Sequence, residues 1–187
     1  MPVTLAENYE YISQHIDIDS LIDWMIIQGY STNGDVQQNL RYFRSTENGN
    51  KWQYALYDLD WAFYFHWPFA NMHSEAEWQH KMLTRNIAKN PRFQEQFLTR
   101  VSELLATTLS DENVLARIDE LQAILEPEAR RDRARWGYSY DQWQREVNWL
   151  RNFITDGNHL EGIISNLRRY LGLSNAEAEK YFGRWIS

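Results

Sequence analysis

The stretch that decides the fold is residues 29–63, GYSTNGDVQQNLRYFRSTENGNKWQYALYDLDWAF. Two runs within it are Arg41–Ser45 and Trp52–Tyr57. Both are rich in aromatic residues and tend to alternate between apolar and polar residues, which is typical of short β-strands. Asn48–Gly49–Asn50 lies between them and is a strong turn signal. The sequence therefore predicts a β-hairpin in which these two runs pair antiparallel.

Polar side chains lie on both sides of the predicted hairpin. Asp35 and Asn39 precede its first strand, and Asp58 and Asp60 follow its second strand. A hairpin brings the start of its first strand next to the end of its second strand, so these four side chains should converge. Carboxylate and carboxamide oxygens suit a hard divalent cation such as Mg²⁺. The alternative for each residue taken singly is that it caps a turn or a helix.

The rest of the chain has the apolar spacing of α-helices. Helices are predicted at about residues 5–15, 19–28, 74–89, 91–108, 140–154, 158–171 and 175–185, and one more begins after Ser110. Thr4 and Glu7 form a possible capping box, and Gly29 is predicted to end the second helix. In the helix after Ser110, Val114, Ile118, Leu121 and Leu125 recur at helical spacing. The predicted fold class is mainly α with a small β-hairpin, an α+β fold.

Composition excludes several classes of function. The net charge of −7 argues against nucleic acid as the main partner, because phosphate binding needs a basic surface. The chain has no cysteine, so it has neither disulfides nor thiolate chemistry. No apolar run is long enough to span a bilayer, and the N-terminus lacks a secretory signal pattern. These features leave a globular enzyme or a binding module.

The order of the parts matches that of protein kinases. A helix is followed by a loop Asp, a nearby Asn, a hairpin and then a second Asp, as in the kinase catalytic and metal-binding segments. At IDWMIIQGY, at Asn33–Asn39 and at KWQYALYDLDWAF the sequence resembles the spore-coat-protein-H (CotH) kinase family, an atypical, kinase-like group. The resemblance covers most of the chain and is strongest over residues 18–65. It implies the C-terminal lobe of an atypical protein-kinase-like fold.

The resemblance also implies roles for individual residues. Asp35 would be the catalytic residue, acting on the acceptor hydroxyl, and Asn39, Asp58 and Asp60 would be the metal ligands. Asn33, Asn39 and Asp58 would contribute to cofactor binding. The implied cofactors are ATP with Mg²⁺ or Mn²⁺, and the implied partner is a protein carrying a Ser or Thr hydroxyl. The family suggests a spore-coat or exported bacterial protein.

Residues 1–187 are predicted to be a single domain, the part of such a kinase that lacks its N-terminal lobe. No Gly-rich phosphate loop and no strand lysine for the α- and β-phosphates is found in the sequence. The chain by itself is therefore expected to bind ATP weakly and to transfer no phosphate. The surface that an N-terminal lobe would cover is expected to expose apolar residues near the hairpin, namely Tyr42, Phe43 and Tyr57.

Two other classes of function are compatible with the sequence. One is a carbohydrate-binding or protein-binding module, since the chain has nine Trp and a negative net charge. The other is a pseudokinase scaffold, which keeps the fold without turnover. The five histidines, His15, His66, His73, His80 and His159, show no zinc-like pairing, and the cluster of Arg130, Arg131, Arg133 and Arg135 fits a solvated helical face better than a phosphate site.

Overall fold

A computed structural model describes residues 4–36, 39–64 and 79–186 of the chain. The described residues are mainly helical, with one two-stranded antiparallel sheet, which confirms the predicted α+β class. The elements before residue 64 are α1 (Ala6–His15), α2 (Ile18–Tyr30), β1 (Arg41–Arg44) and β2 (Trp52–Ala55). The later ones are α3 (Gln79–Ile87), α4 (Pro91–Ala106), α5 (Asp111–Trp136), α6 (Tyr140–Thr155), α7 (Gly157–Leu171) and α8 (Asn175–Phe182).

The chain groups into two compact units, one made of Met1–Ser102 with Glu161–Ser187 and the other of Glu103–Leu160. The prediction of one domain over residues 1–187 stays a prediction. In the first unit the core includes buried side chains from α2, α4, α7 and α8, among them Leu21, Met25, Ile26, Phe93, Phe97, Val101, Leu167 and Phe182. The apolar side chains of α2 therefore form a core face.

Helix α2 is the element that supports the hairpin. It begins after Asp17, whose side chain accepts a hydrogen bond from the Ser20 backbone N–H. It continues through Gly29 to Tyr30, so the prediction that Gly29 ends the helix was wrong. Gly29 is not among the glycines with positive φ, and so it does not form the left-handed cap that a terminating glycine provides.

The beginning of α1 also differs from the prediction. Leu5 is the N-cap residue and no side chain caps the helix, so the predicted capping box of Thr4 and Glu7 was wrong. A capping box needs Thr4 in the N-cap position, and here the helix starts one residue later than that arrangement requires.

The hairpin is present, with strands slightly shorter than predicted. Arg41 pairs with Ala55 and Arg44 with Trp52. The connection contains a short 3₁₀ turn over Thr46–Asn48, after which Gly49 and Asn50 both have positive φ. Glycine adopts that conformation without steric cost, which is why the turn lies at this Asn-Gly-Asn sequence.

The second strand is attached to the N-terminal part of α2. The Asp17 N–H donates to the Trp52 carbonyl at 2.9 Å, and the Tyr54 N–H donates to Ser20 Oγ at 2.9 Å. The Trp24 ring lies 5.1 Å from the Tyr54 ring. These contacts fix the hairpin on α2, and Asp58 and Asp60 follow β2 directly in the chain.

The second unit contains α5 and α6. Helix α5 runs continuously through Pro127 and has no fully buried residue among those described. Leu121 and Leu125, two of the residues that recur at helical spacing, are exposed. Helical spacing shows only that side chains share one face, and nothing among the described residues buries these two.

The surface near the hairpin exposes Tyr42, Phe43 and Tyr57, as predicted. That an N-terminal lobe would cover this surface stays a prediction. Among the described helices none has the length and apolarity needed to cross a membrane.

Candidate functional site

The loop after α2 holds the first polar cluster in a strained backbone. Thr32 has a φ of 51°, which is uncommon for a β-branched residue. Asn33 is buried, donates from Nδ2 to Gln28 Oε1 at 2.9 Å, and accepts the Asp35 N–H at 3.4 Å. These bonds fix the direction in which the loop leaves the helix and thereby position Asp35.

The segment after β2 packs against this loop. The Phe63 N–H donates to the Ser31 carbonyl at 2.6 Å, and the Gly34 N–H donates to the Trp61 carbonyl at 3.3 Å. The Phe63 ring also meets the Tyr30 ring edge-on, with centroids 6.3 Å apart. These contacts join the loop that carries Asp35 to the segment that carries Asp58 and Asp60.

Strained backbone also occurs in this second segment. Asp58 has a φ of 52° and Phe63 a φ of 59°, so both are left-handed without being glycine. Non-glycine residues in this region cost about 1–2 kcal/mol each and concentrate at functional sites. With Thr32, three of the four such residues in the described chain lie in these two joined segments.

Asp35 uses one of its two carboxylate oxygens. Its Oδ2 accepts a hydrogen bond from Asn39 Nδ2 at 2.7 Å. Its Oδ1 is buried and has no hydrogen-bond partner. A buried acceptor left unpaired costs roughly 1–3 kcal/mol, so the atom marks a position where a donor or a cation would be stabilising.

The three carboxylates interact electrostatically. Desolvation raises the pKa of Asp58 above its ordinary value, and the negative charges of Asp60 and Asp35 and a hydrogen bond with Asp60 raise it further. The positive charge of Arg41 acts in the opposite direction. Asp58 and Asp60 are both exposed, so a cation in solution can reach them.

Arg41 is a member of this cluster that the sequence reasoning missed. Its guanidinium lies 4.6 Å from the centroid of the Tyr57 ring and donates to the Leu40 carbonyl at 3.0 Å. This places its charge beside the residue that precedes Asp58. In the sequence, Arg41 and Arg44 are equivalent arginines of one strand, and only the hairpin register separates their surroundings.

The oxygen-rich set fits a hard divalent cation by its chemistry. It comprises the carboxylates of Asp35, Asp58 and Asp60 and the amide oxygen of Asn39. Within the described ranges, however, no group of three or more His, Asp or Glu side chains is arranged to hold a metal ion by itself. Mg²⁺ in phosphate-transfer sites is commonly held by one or two protein side chains together with the substrate phosphates.

The other candidate residues lie elsewhere or in local contacts. His66 and His73 are outside the described residues, and His159 is buried in the second unit. In the arginine cluster of α5, Arg130 pairs with Glu126 and Arg131 with Glu128, each at 2.7 Å. These contacts are those of a solvated helical face.

The chain was compared with curated proteins, with solved structures and with models of protein families. No curated protein and no solved structure matches the chain. The family model described as "CotH kinase protein" matches residues 3–159, which is most of the chain and includes the loop, the hairpin and the carboxylate segment. The chain therefore belongs to the CotH kinase protein family.

Proposed function

We propose that this chain is the catalytic and metal-binding part of an atypical protein kinase, which transfers the γ-phosphate of ATP to a protein hydroxyl. The observation that carries the proposal is the gathering of Asp35, Asp58 and Asp60 from two segments that the hairpin and its backbone bonds hold together. Three like charges with Arg41 as the opposing charge form a site that a divalent cation would stabilise. The chain would correspond to the C-terminal lobe of the kinase.

Asp35 is proposed to act on the acceptor hydroxyl. Its Oδ2 is held by Asn39, and its Oδ1, which has no partner, is the atom that would accept the hydroxyl proton. Because Oδ1 is covered, substrate binding has to open its surroundings. Asn33 is proposed to support this geometry through its bond to the Asp35 N–H.

Asn39 and Asp58 are proposed to hold Mg²⁺ or Mn²⁺ on the ATP phosphates, with Asp60 as a second ligand or a support for Asp58. The Asn39 amide nitrogen is committed to Asp35, so its oxygen is the atom that would bind the cation. A bound cation would neutralise charge on the transferring phosphate. Asp58 and Asp60 would lose their mutual repulsion when the cation binds, which gives the site its affinity.

The first test measures the binding of Mn²⁺ by electron paramagnetic resonance. It is made on the unsubstituted chain and on Asp58→Asn. We expect at least a tenfold loss of affinity in the variant. Glu47→Gln is the matched control, because Glu47 is an exposed acid in the turn at the far end of the hairpin. Equal affinities for Asp58→Asn and the unsubstituted chain would contradict the metal site.

The second test is phosphate transfer from radiolabelled Mg-ATP to a protein acceptor. Asp35→Asn should lower turnover by roughly 10²–10⁴-fold with little change in nucleotide affinity, because its role concerns the acceptor hydroxyl. Metal-dependent nucleotide binding without any transfer would indicate a pseudokinase scaffold instead. Sugar binding without metal or nucleotide binding would indicate a carbohydrate module.

The proposals for the protein substrate and for the cellular location rest only on membership of the family. The family name associates the chain with the spore coat, and a Ser or Thr hydroxyl of a coat or exported protein is the proposed acceptor.

A further inference from the structure

Helix α5 exposes a short apolar strip that the proposed kinase site does not use. Leu121, Ile124 and Leu125 are 40%, 62% and 53% exposed. They lie three and four residues apart and therefore share one face of the helix. Apolar residues that are exposed next to one another, rather than singly, can mark an interaction surface.

Two residues of opposite charge lie at the two ends of this strip. Arg117 lies four residues before Leu121, and Glu128 lies four residues after Ile124. The four positions are thus spaced four, three and four residues apart, which is the spacing of a coiled-coil seam. Both charged side chains are well exposed.

Both charged residues keep only weak contacts within their own helix. Arg117 pairs with Glu120 and Glu128 with Arg131, each three residues away on the surface. Exposed pairs of this kind contribute little to stability, so they leave both charges able to interact with a partner.

The strip is complementary to itself. Reversing the direction of the helix exchanges Arg117 with Glu128 and Leu121 with Ile124, because each pair is equally distant from the centre of the strip. A second copy packed antiparallel would therefore place Leu121 against Ile124 of that copy and Arg117 against its Glu128. A two-fold axis would repeat both contacts, as in isologous dimers.

We propose that α5 is a self-association surface on which a second copy of this chain packs antiparallel. The four layers of the seam span about 16 Å of helix, at roughly 1.5 Å per residue. That is a small interface, and small interfaces belong to weak, transient complexes. We expect a dissociation constant on the order of 10 µM.

The first test is sedimentation equilibrium of the chain over a range of concentrations. Ile124→Glu should abolish dimers, because it places a charge at the centre of the apolar strip. Leu56→Glu is the matched control, since Leu56 is 50% exposed and lies beside the hairpin. A chain that is monomeric at several times the expected dissociation constant would overturn the proposal, and so would dimers that Leu56→Glu removes and Ile124→Glu does not.

The second test uses charge reversal and depends on the two-fold arrangement. Arg117→Glu puts Glu against Glu in a homodimer, and Glu128→Arg puts Arg against Arg, so each variant should be monomeric. Mixing the two variants should restore dimers that contain one of each, because both contacts are then Glu against Arg. The double variant should dimerise by itself. Circular dichroism checks that each variant keeps its helices.

Failure of the mixed variants to form heterodimers would overturn the antiparallel arrangement. A monomeric unsubstituted chain would overturn self-association through α5 altogether. Neither outcome depends on metal or nucleotide binding, so the proposed kinase site is tested separately.

Discussion

Asp17 is the residue whose replacement best tests how the fold positions the candidate site. Its Oδ1 accepts the Ser20 N–H and its Oδ2 accepts Gln53 Nε2, both at 3.1 Å. The first bond caps α2, and the second ties β2 to the start of that helix. Asp17→Ala removes both bonds and leaves the backbone bond from the Asp17 N–H to Trp52 in place.

The expected loss of stability follows from these two bonds. Losing an N-cap costs about 1 kcal/mol, and losing a partly exposed hydrogen bond to a carboxylate costs about 1 kcal/mol more. A loss of about 2 kcal/mol lowers the melting temperature of a chain of this size by roughly 4–8 °C. Asp17→Asn should lose about half as much, because asparagine caps helices as well as aspartate does.

The assay is calorimetric melting, with hydrogen exchange of the Tyr54 N–H as a local probe of the hairpin. Exchange at Tyr54 should be faster in Asp17→Ala, since its partner Ser20 lies in the first turn of α2. Mn²⁺ affinity should fall several-fold as well, although Asp17 is not a proposed ligand. Melting within 1 °C of the unsubstituted chain, or equal losses in Asp17→Ala and Asp17→Asn, would refute the reasoning.

Three further predictions concern the carboxylates and the core. Because the pKa of Asp58 is raised in the folded chain, its stabilising contribution is complete below its ordinary pKa of 3.8 and is lost as the pH rises through the folded value. Asp58→Asn should therefore melt at a higher temperature than the unsubstituted chain at pH 7, with the difference vanishing near pH 4, as calorimetry at several pH values will show. Arg41→Gln should raise the pKa of Asp58 further and move the pH midpoint of Mn²⁺ binding upward, whereas Arg44→Gln, whose guanidinium lies over Trp52, should not. Phe182→Ala should cost about 3–5 kcal/mol in chemical denaturation, because Phe182 is fully buried.

Local sequence signals predicted the elements well. Helical spacing located α4, α6 and α7 within a few residues of their observed bounds, and the Asn-Gly-Asn sequence located the hairpin turn. These signals act within a few residues of the chain, where backbone conformation and side-chain capping decide the structure. The hairpin also predicted that Asp35 and Asp58 approach each other, and the negative charge of Asp35 is one of the causes that raise the pKa of Asp58.

Other features required contacts between distant parts of the chain. The proximity of Arg41 to Asp58 depends on the register of β1 with β2, and the unpaired Oδ1 of Asp35 depends on what surrounds it. Leu121 and Leu125 recur at helical spacing and yet are exposed. The sequence by itself determined which side chains share a face and where each helix or strand forms. Only the tertiary structure decided which of those faces are covered, because burial and electrostatic neighbours come from residues that are remote in the chain.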